Sequence, residues 1–417
     1  MRLAIISDNH LGFKRGTPRF EDAFIQAEEA FTKAVERGAD LILLGGDLFE
    51  KPVPPLEVVI RTLKILNLRF KHDSAVAWCG GKEVRSEALR GTPVLSLHGN
   101  HELRSKGQTN IMEMLEATGT LVYLHRDTIV LKIGDEKLAV HGMSHVPERY
   151  SLEALKQWRP RPVEGAKNVL MLHQSLGSFV FQDREQARIQ LGDLPEGFDL
   201  YVCGHVHCRA EIEVRGKPLL FPGSTERTQL LETERVKGFY LVDLSDVTSW
   251  EFVELETPRD FFFEELRVEG VGLRELTEMT KQRVEEVLSR PRRNPKPPLI
   301  KLRLIGTLAK GVLGSEFDPQ RIIEEFSDRA LIEIDRTRLL SELVSKKAEL
   351  VRELRERPLS LRDRTLRLLE EYLKDLVREP LFSITDLYHL LTEEKEEIVG
   401  KKVEEVLAAR VRAEVED

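Results

Sequence analysis

The chain has 417 residues, of which 32% are charged and 41% hydrophobic, with a net charge of −8; that length exceeds one ordinary core and implies two or three domains. Net acidity excludes a globally attractive surface for nucleic acid, so any such contact needs a local basic surface or bound metal. No stretch approaches the ~20 apolar residues that span a bilayer, and three cysteines (Cys79, Cys203, Cys208) form no CxxC pair, which fits a reduced compartment.

Residues 1 to about 255 alternate buried strands with helices. The first strand, Leu3 to Ser7, begins without a basic-then-apolar leader, so no secretory signal is expected. It stops at Asp8-Asn9-His10. Phe20, Ala23, Phe24, Ala27, Phe31 and Ala34 then share one helix face, which Gly38 ends. Leu41 to Leu44 form a strand stopping at Gly45-Gly46-Asp47, and Pro54-Pro55 opens a helix with Leu56, Val59, Ile60, Leu63 and Leu66 on one side. Residues 70–92 break the rhythm and read as an inserted loop. Val94 to Leu97 is a strand ending at His98-Gly99-Asn100-His101-Glu102, followed by a helix over about 108–117. Two further strands, Val169 to Leu172 and Leu200 to Cys203, end at His173 and at Gly204-His205-Val206-His207. Short strands continue to about Val253, with Gly216-Lys217-Pro218 and Gly238 as turns.

A second unit is expected over 258–335. Phe261 to Phe263 and Leu299 to Ile305 read as strands, and Leu273, Leu276, Val284 and Val287 as a helix face. Asp318-Pro319 is an N-cap with proline at the first helical position, and Leu331 to Ile334 closes the unit as a strand. Between Arg290 and Arg303 lie six basic residues, no acidic one and four prolines. Arg290, Arg292, Arg293 and Lys296 in this segment are candidate DNA-phosphate contacts, against the plainer reading of a solvated linker. From 336 the strand signal vanishes. Leu340, Leu343 and Val344 start one helix, Leu366, Leu369, Leu373 and Leu376 mark a second, and 383–417 form a third helical stretch.

Five strands that each stop at a metal-ligand residue point to hydrolytic chemistry, because side chains at the carboxyl ends of adjacent strands converge on one crevice. Asp8 and Asp47 supply negative charge for hard divalent ions. His10, His173, His205 and His207 suit transition metals, and Asn100 offers a neutral carbonyl oxygen. Seven ligands of mixed character, with Asp47 able to bridge, describe a two-metal phosphoesterase better than a single zinc site. His101, next to a ligand, is the candidate to steady the transition state or protonate the leaving oxygen, with Glu102 as its orienting carboxylate. His98, His141 and Cys203 read as packing residues, and His145 as packing with a substrate-facing alternative.

These motifs, D-x-H, GD, GNH and GH-x-H in that order, resemble the calcineurin-like metallophosphoesterase superfamily. Ser7 to Gly12, Gly45 to Phe49, Leu172-His173-Gln174 and Phe221-Pro222-Gly223-Ser224-Thr225-Glu226-Arg227-Thr228 narrow the resemblance to the SbcD-like double-strand-break repair nucleases called meiotic-recombination eleven. The last stretch is the most telling, since metal binding does not demand it. The resemblance implies an α/β fold: a two-sheet sandwich flanked by helices over 1–255, a small α+β capping domain that binds DNA over 258–335, and a helical segment over 336–417 that binds an ATPase. It implies two manganese ions per subunit, one on Asp8, His10, Asp47 and His207, the other on Asp47, Asn100, His173 and His205, with His101 catalytic. It also implies 3′-to-5′ exonuclease and single-strand endonuclease activity and a homodimer. The implied partner is a coiled-coil ABC-type ATPase with a zinc hook, SbcC-like, in a heterotetramer on the chromosome of a prokaryotic, archaeal cytoplasm. The sequence departs from the family at Glu102, where aspartate is usual, and in the 70–92 insertion. Two competing readings are a phosphomonoesterase or protein phosphatase on the same metal core, and a metal-bearing scaffold for DNA or the ATPase.

Overall fold

The computed structural model describes residues 1–105, 107–179, 187–230 and 236–341, and beyond them residues 365, 366, 369, 383–392, 397–401, 403 and 404. The chain divides into two compact units, Met1–Phe263 with Pro291–Leu299, and Glu264–Arg290 with Ile300–Asp417. Residues 256–263 and 291–299 belong with the first unit for an electrostatic reason. Arg259 and Lys296 both reach the buried carboxylate of Asp22, at 2.6 and 3.1 Å.

In the first unit the chain begins with β1 (Arg2–Ile6), α1 (Phe20–Glu36), β2 (Leu41–Leu44), α2 (Leu56–Leu66) and β3 (Val76–Gly81). It continues with β4 (Val94–Ser96), α3 (Ile111–Ala117), β5 (Val122–Tyr123), β6 (Asp127–Ile133), β7 (Glu136–Met143) and α4 (Glu148–Trp158). Then follow β8 (Lys167–His173), β9 (Leu200–Gly204), β10 (Ala210–Val214), β11 (Lys217–Phe221), β12 (Gly238–Asp243) and β13 (Ser249–Glu254). One sheet has the order β13-β12-β1-β2-β4-β5, the other β10-β11-β9-β8-β7-β6-β3.

The period of two along each strand builds the sandwich. Leu3, Ile5, Leu41 and Leu43 of the first sheet share one buried cluster with Val169, Met171, Leu200 and Val202 of the second. Their alternates Ala4, Ile6, Ile42 and Leu44 cluster instead with Ala23, Ala27, Phe31 and Ala34 of α1. Leu170 and Leu172 of β8 pack on the outer side with Leu155 of α4. Both sheets thus have covered faces, as parallel sheets require. β1, β2 and β4 run parallel, as do β8 and β9, so each of these two sets releases its loops from one edge of its sheet.

The reading of 70–92 as a loop is corrected. It carries β3, which pairs antiparallel with β6 as an edge of the second sheet. Trp78 and Cys79 on this strand are exposed, so no buried alternation marked it in the sequence. α2 also differs from a single apolar side: Val58, Val59, Thr62, Ile65 and Leu66 are buried, while Leu56 and Ile60 are 80% and 54% exposed.

The remaining elements are β14 (Phe261–Val271), α5 (Leu273–Leu288), β15 (Leu299–Leu308), α6 (Pro319–Glu325) and β16 (Leu331–Ser341), with a three-stranded sheet in the order β14-β15-β16. Asp318 caps α6, its side chain accepting from Gln320 N at 3.0 Å. β16 runs seven residues past Ile334, the expected end of the closing strand, so a helix beginning at Leu340 is corrected. Arg336, Thr337 and Arg338 are exposed there and hide the strand from a hydropathy reading. Leu343, Val344, Leu373 and Leu376 lie outside the described residues, as does most of 383–417 apart from a helix, α7 (Ile384–Thr392). Among the described residues no helix is long and apolar enough to cross a membrane.

Candidate metal centre

The loops that leave β1, β2, β4, β8 and β9 meet at one place. Asp8 N donates to Gly46 O and His10 N to Asp47 O, both at 3.0 Å, which fastens the first two loops together. Asp8, His10, Asp47 and His205 all have positive φ, between 49° and 80°. Such backbone is uncommon outside glycine and gathers at functional sites, where the surrounding fold over-determines it. Here it turns each side chain sharply out of its strand. Gly99 is required by proximity, since a Cβ there would overlap the Asp47 carboxylate.

Two ligand groups share Asp47, and a third gathers His10, Glu50 and His101. Asp8, His10, Asp47 and His207 bring their donor atoms within 4.8 Å of one another, and so do Asp47, His173 and His205. Asn100 joins the second group, its Oδ1 lying 2.9 Å from His205 Nδ1 and 3.4 Å from His173 Nε2. The outer nitrogens of three imidazoles are occupied. His10 Nδ1 lies 2.9 Å from Glu50 Oε2, His173 Nδ1 donates to Gly45 O at 2.7 Å, and His207 Nδ1 lies 2.6 Å from Thr228 Oγ1. Partners of this kind fix the tautomer of a metal-binding histidine and leave Nε2 as the ligand atom.

The residues fit divalent cations. Asp8 and Asp47 are 0% and 1% exposed, and among the described residues neither is ion-paired with a lysine or arginine. Burial, reinforced by the charge of Asp47, pushes the Asp8 carboxyl well above the usual carboxylate range. Burial acts on Asp47 the same way, but His173, His10 and His101 outweigh it and hold Asp47 below that range. Burial also pulls His173 and His207 below the usual imidazole range, the direction that favours metal binding. His10 Nε2 and His207 Nε2 face each other at 3.1 Å with their outer nitrogens both engaged, an arrangement suited to a shared cation.

All seven expected ligands come together, and His101 lies beside them, its ring edge-on to His10 with centroids 4.7 Å apart. The expected role of Glu102 is corrected. It is fully buried, and its two oxygens accept from Phe49 N at 2.8 Å and Gly99 N at 2.7 Å, so it ties the loop after β2 to the loop after β4. Burial and then the charge of Asp47 push its carboxyl up to about 8. The acid beside His101 is Glu50, which the sequence reading did not single out; only its place three residues past Asp47 could have drawn attention to it. Thr228 and Lys237 were likewise missed as supports of His207, although Thr228 ends the motif that carried the narrower resemblance. Lys237 donates to His207 O at 3.1 Å and to Ser224 Oγ at 2.8 Å.

The packing residues are as expected. His98 has both ring nitrogens engaged, by Tyr123 Oη and His145 O, and His141 by Thr128 and Asn168. Cys203 is fully buried at the end of β9. His145 is 8% exposed and lies 5.6 Å from the His205 ring. In the basic segment, Lys296 is paired with Asp22 at 3.1 Å and Arg290 with Glu264 at 2.6 Å, whereas Arg292 and Arg293 are exposed.

The fold and this ligand set are those of a metallophosphoesterase. Residues 1–209 match the calcineurin-like phosphoesterase family, and the chain belongs to it. Similarity extends further along the chain to repair proteins. The DNA double-strand break repair protein Mre11 of Methanopyrus kandleri is 27% identical over 358 residues, 80% of this chain and 70% of that one. The Mre11 protein of Archaeoglobus fulgidus is 28% identical over 361 residues, 79% and 76% of the two chains. The double-strand break repair protein MRE11 of Encephalitozoon cuniculi is 30% identical over 299 residues, 64% of this chain, which spans only half the length of that relative.

The Thr228 contact is testable. Thr228→Val should leave thermal stability nearly unchanged and weaken manganese binding by about tenfold, the lower end of what loss of such a partner costs. Calorimetric titration of the metal-free chain measures this, and wild-type affinity in the variant would remove Thr228 from the site's support.

Proposed function

We propose that this chain is a metal-dependent nuclease that processes broken DNA ends, a 3′-to-5′ exonuclease on duplexes and an endonuclease on single strands. The observation that carries the reading is the convergence of six ligand side chains on a seventh, Asp47, in a chain similar over most of its length to double-strand break repair proteins. When bound, two divalent ions (manganese in this reading) supply positive charge for the phosphodiester and an activated water. Asp8, His10, Asp47 and His207 hold one ion, and Asp47, Asn100, His173 and His205 the other. His101 Nδ1 donates to Glu50 O at 2.9 Å, which turns Nε2 outward as the atom that meets the leaving oxygen. The His101 side chain is 29% exposed, so substrate can reach it.

The proposal extends to partners. Arg292 and Arg293 are exposed cations of the basic segment, Arg293 with Glu254 no closer than 4.0 Å, and serve as phosphate contacts, while Arg290 and Lys296 are held by Glu264 and Asp22. Val53, Leu56, Ile60 and Met114 leave apolar surface exposed around α2 and α3, which supports a homodimer through these helices. The segment beyond residue 341 docks a coiled-coil ABC-type ATPase with a zinc hook, giving a heterotetramer associated with the chromosome.

Labelled duplex and single-stranded DNA, incubated with the chain and manganese beside a phosphoserine peptide, test the activity. Both DNAs should be cut, with His101→Ala at least ~100-fold slower. Dephosphorylated peptide with intact DNA would overturn the reading. In the same experiment, Arg292→Ala with Arg293→Ala should reduce the salt slope of DNA binding by about 2; an unchanged slope removes them from the contact. Light scattering should find a dimer that Leu56→Asp with Ile60→Asp converts to a monomer, and a monomeric wild type refutes this interface. A purified coiled-coil ATPase should co-elute with the full chain but not with one ending at residue 341, and co-elution with both would place the docking site elsewhere.

A further inference from the structure

The acid at position 50, in the loop after β2, is joined to two other loops at once. Its backbone N–H donates to Leu11 O at 3.1 Å, in the loop after β1. Its backbone carbonyl accepts from His101 Nδ1 at 2.9 Å, in the loop after β4. Its Oε2 lies 2.9 Å from His10 Nδ1 and 3.5 Å from His101 Nδ1. Among the described residues these two imidazoles are the only ion-pair partners of Glu50, and no lysine or arginine competes for it. The carboxylate is 23% exposed, well placed to hold both rings while the two rings meet edge to face at 87°.

We infer that Glu50 is a positioning residue that fixes the metal ligand His10 and the substrate-facing His101 as a pair. By accepting from His10 Nδ1 it commits Nε2 of that ring to the metal, as outer-shell carboxylates do in other metal sites. By holding His101 with both its carbonyl and its carboxylate it sets the direction of that ring relative to the ion that His10 binds. A single residue therefore couples metal position to the placement of the group that meets the leaving oxygen. The His101 half of this inference rests on the nuclease reading; the His10 half stands on geometry alone.

The test uses the full chain with Glu50→Ala and Glu50→Gln. Manganese binding is titrated calorimetrically and by electron paramagnetic resonance without DNA, and DNA cleavage is measured at saturating manganese. Glu50→Ala should weaken one of two bound ions by about 10- to 100-fold. At saturating metal it should lower kcat at least ~10-fold, as a misplaced catalytic group does, and leave KM for DNA within about twofold. Glu50→Gln, whose amide oxygen still accepts from His10 Nδ1, should recover most of the metal affinity. Unchanged manganese binding in Glu50→Ala overturns the inference, and so does an equal loss in both variants accompanied by a lowered melting temperature. If the wild type cuts no DNA yet Glu50→Ala still loses metal affinity, the nuclease reading fails and the His10 half stands.

Discussion

The fold is organised around two carboxylates with nowhere to put their charge. Asp8 and Asp47 sit at the end of a hydrophobic sandwich, buried and without a lysine or arginine partner among the described residues. An unpaired buried charge is costly enough that a protein ordinarily neutralises it or gives it a cation. The rest of the site reads as a response to this constraint. Imidazoles surround Asp47, its Oδ1 accepts from His101 N at 2.9 Å, and Gly99 leaves room for the carboxylate. Ligand loops adopt left-handed backbone conformations that the packed sheets can hold in place.

The stretch from Phe221 to Thr228 binds no metal in this arrangement, yet it is where the site is braced from behind. Ser224 N donates to His207 O at 3.1 Å, and Asn9 Nδ2 donates to Thr225 Oγ1 at the same distance. Glu226 accepts from Arg19 at 2.7 Å, and Thr228 meets the outer nitrogen of His207. A Cβ at Gly223 would press on the carbonyl of His207. The motif therefore fixes both the backbone and the ring of one ligand. That explains how a stretch without ligands can be tied as closely to the chemistry as the ligands are.

Legibility in the sequence followed burial. The five ligand-bearing strands were readable because an apolar run of four or five residues stops abruptly at a polar one, and a buried strand has few other ways to look. β3 was not readable, since Trp78 and Cys79 are exposed and its edge position needs no alternation. β16 was cut short for the same reason, its far half carrying Arg336 and Arg338 on the surface. The acids at 50 and 102 show a different limit. Adjacency in sequence favoured Glu102 as the partner of His101, but neighbours in a tight turn point apart. Glu102 turns inward to two backbone amides, and Glu50, in another loop, takes the place beside the ring. Linear spacing identifies ligands at strand ends; it does not identify what stands behind them.

Charge along the sequence misleads in the same way. Six cations without an acid between Arg290 and Arg303 look like a surface for a polyanion, yet acids distant in sequence take up most of them. Arg290 meets Glu264, Lys296 meets Asp22, Lys301 meets Glu333 at 2.7 Å, and Arg303 meets Asp335 at 3.0 Å. Each of these pairs holds at least one partner that is largely buried, and a cation so engaged is partly spent as an attractor of phosphate. In a chain of net charge −8, cations held at the two buried carboxylates would add to the little positive charge that Arg292 and Arg293 leave free in this segment. The same ions would then serve both substrate attraction and catalysis, so a chain stripped of metal should hold its substrate more weakly while losing its chemistry.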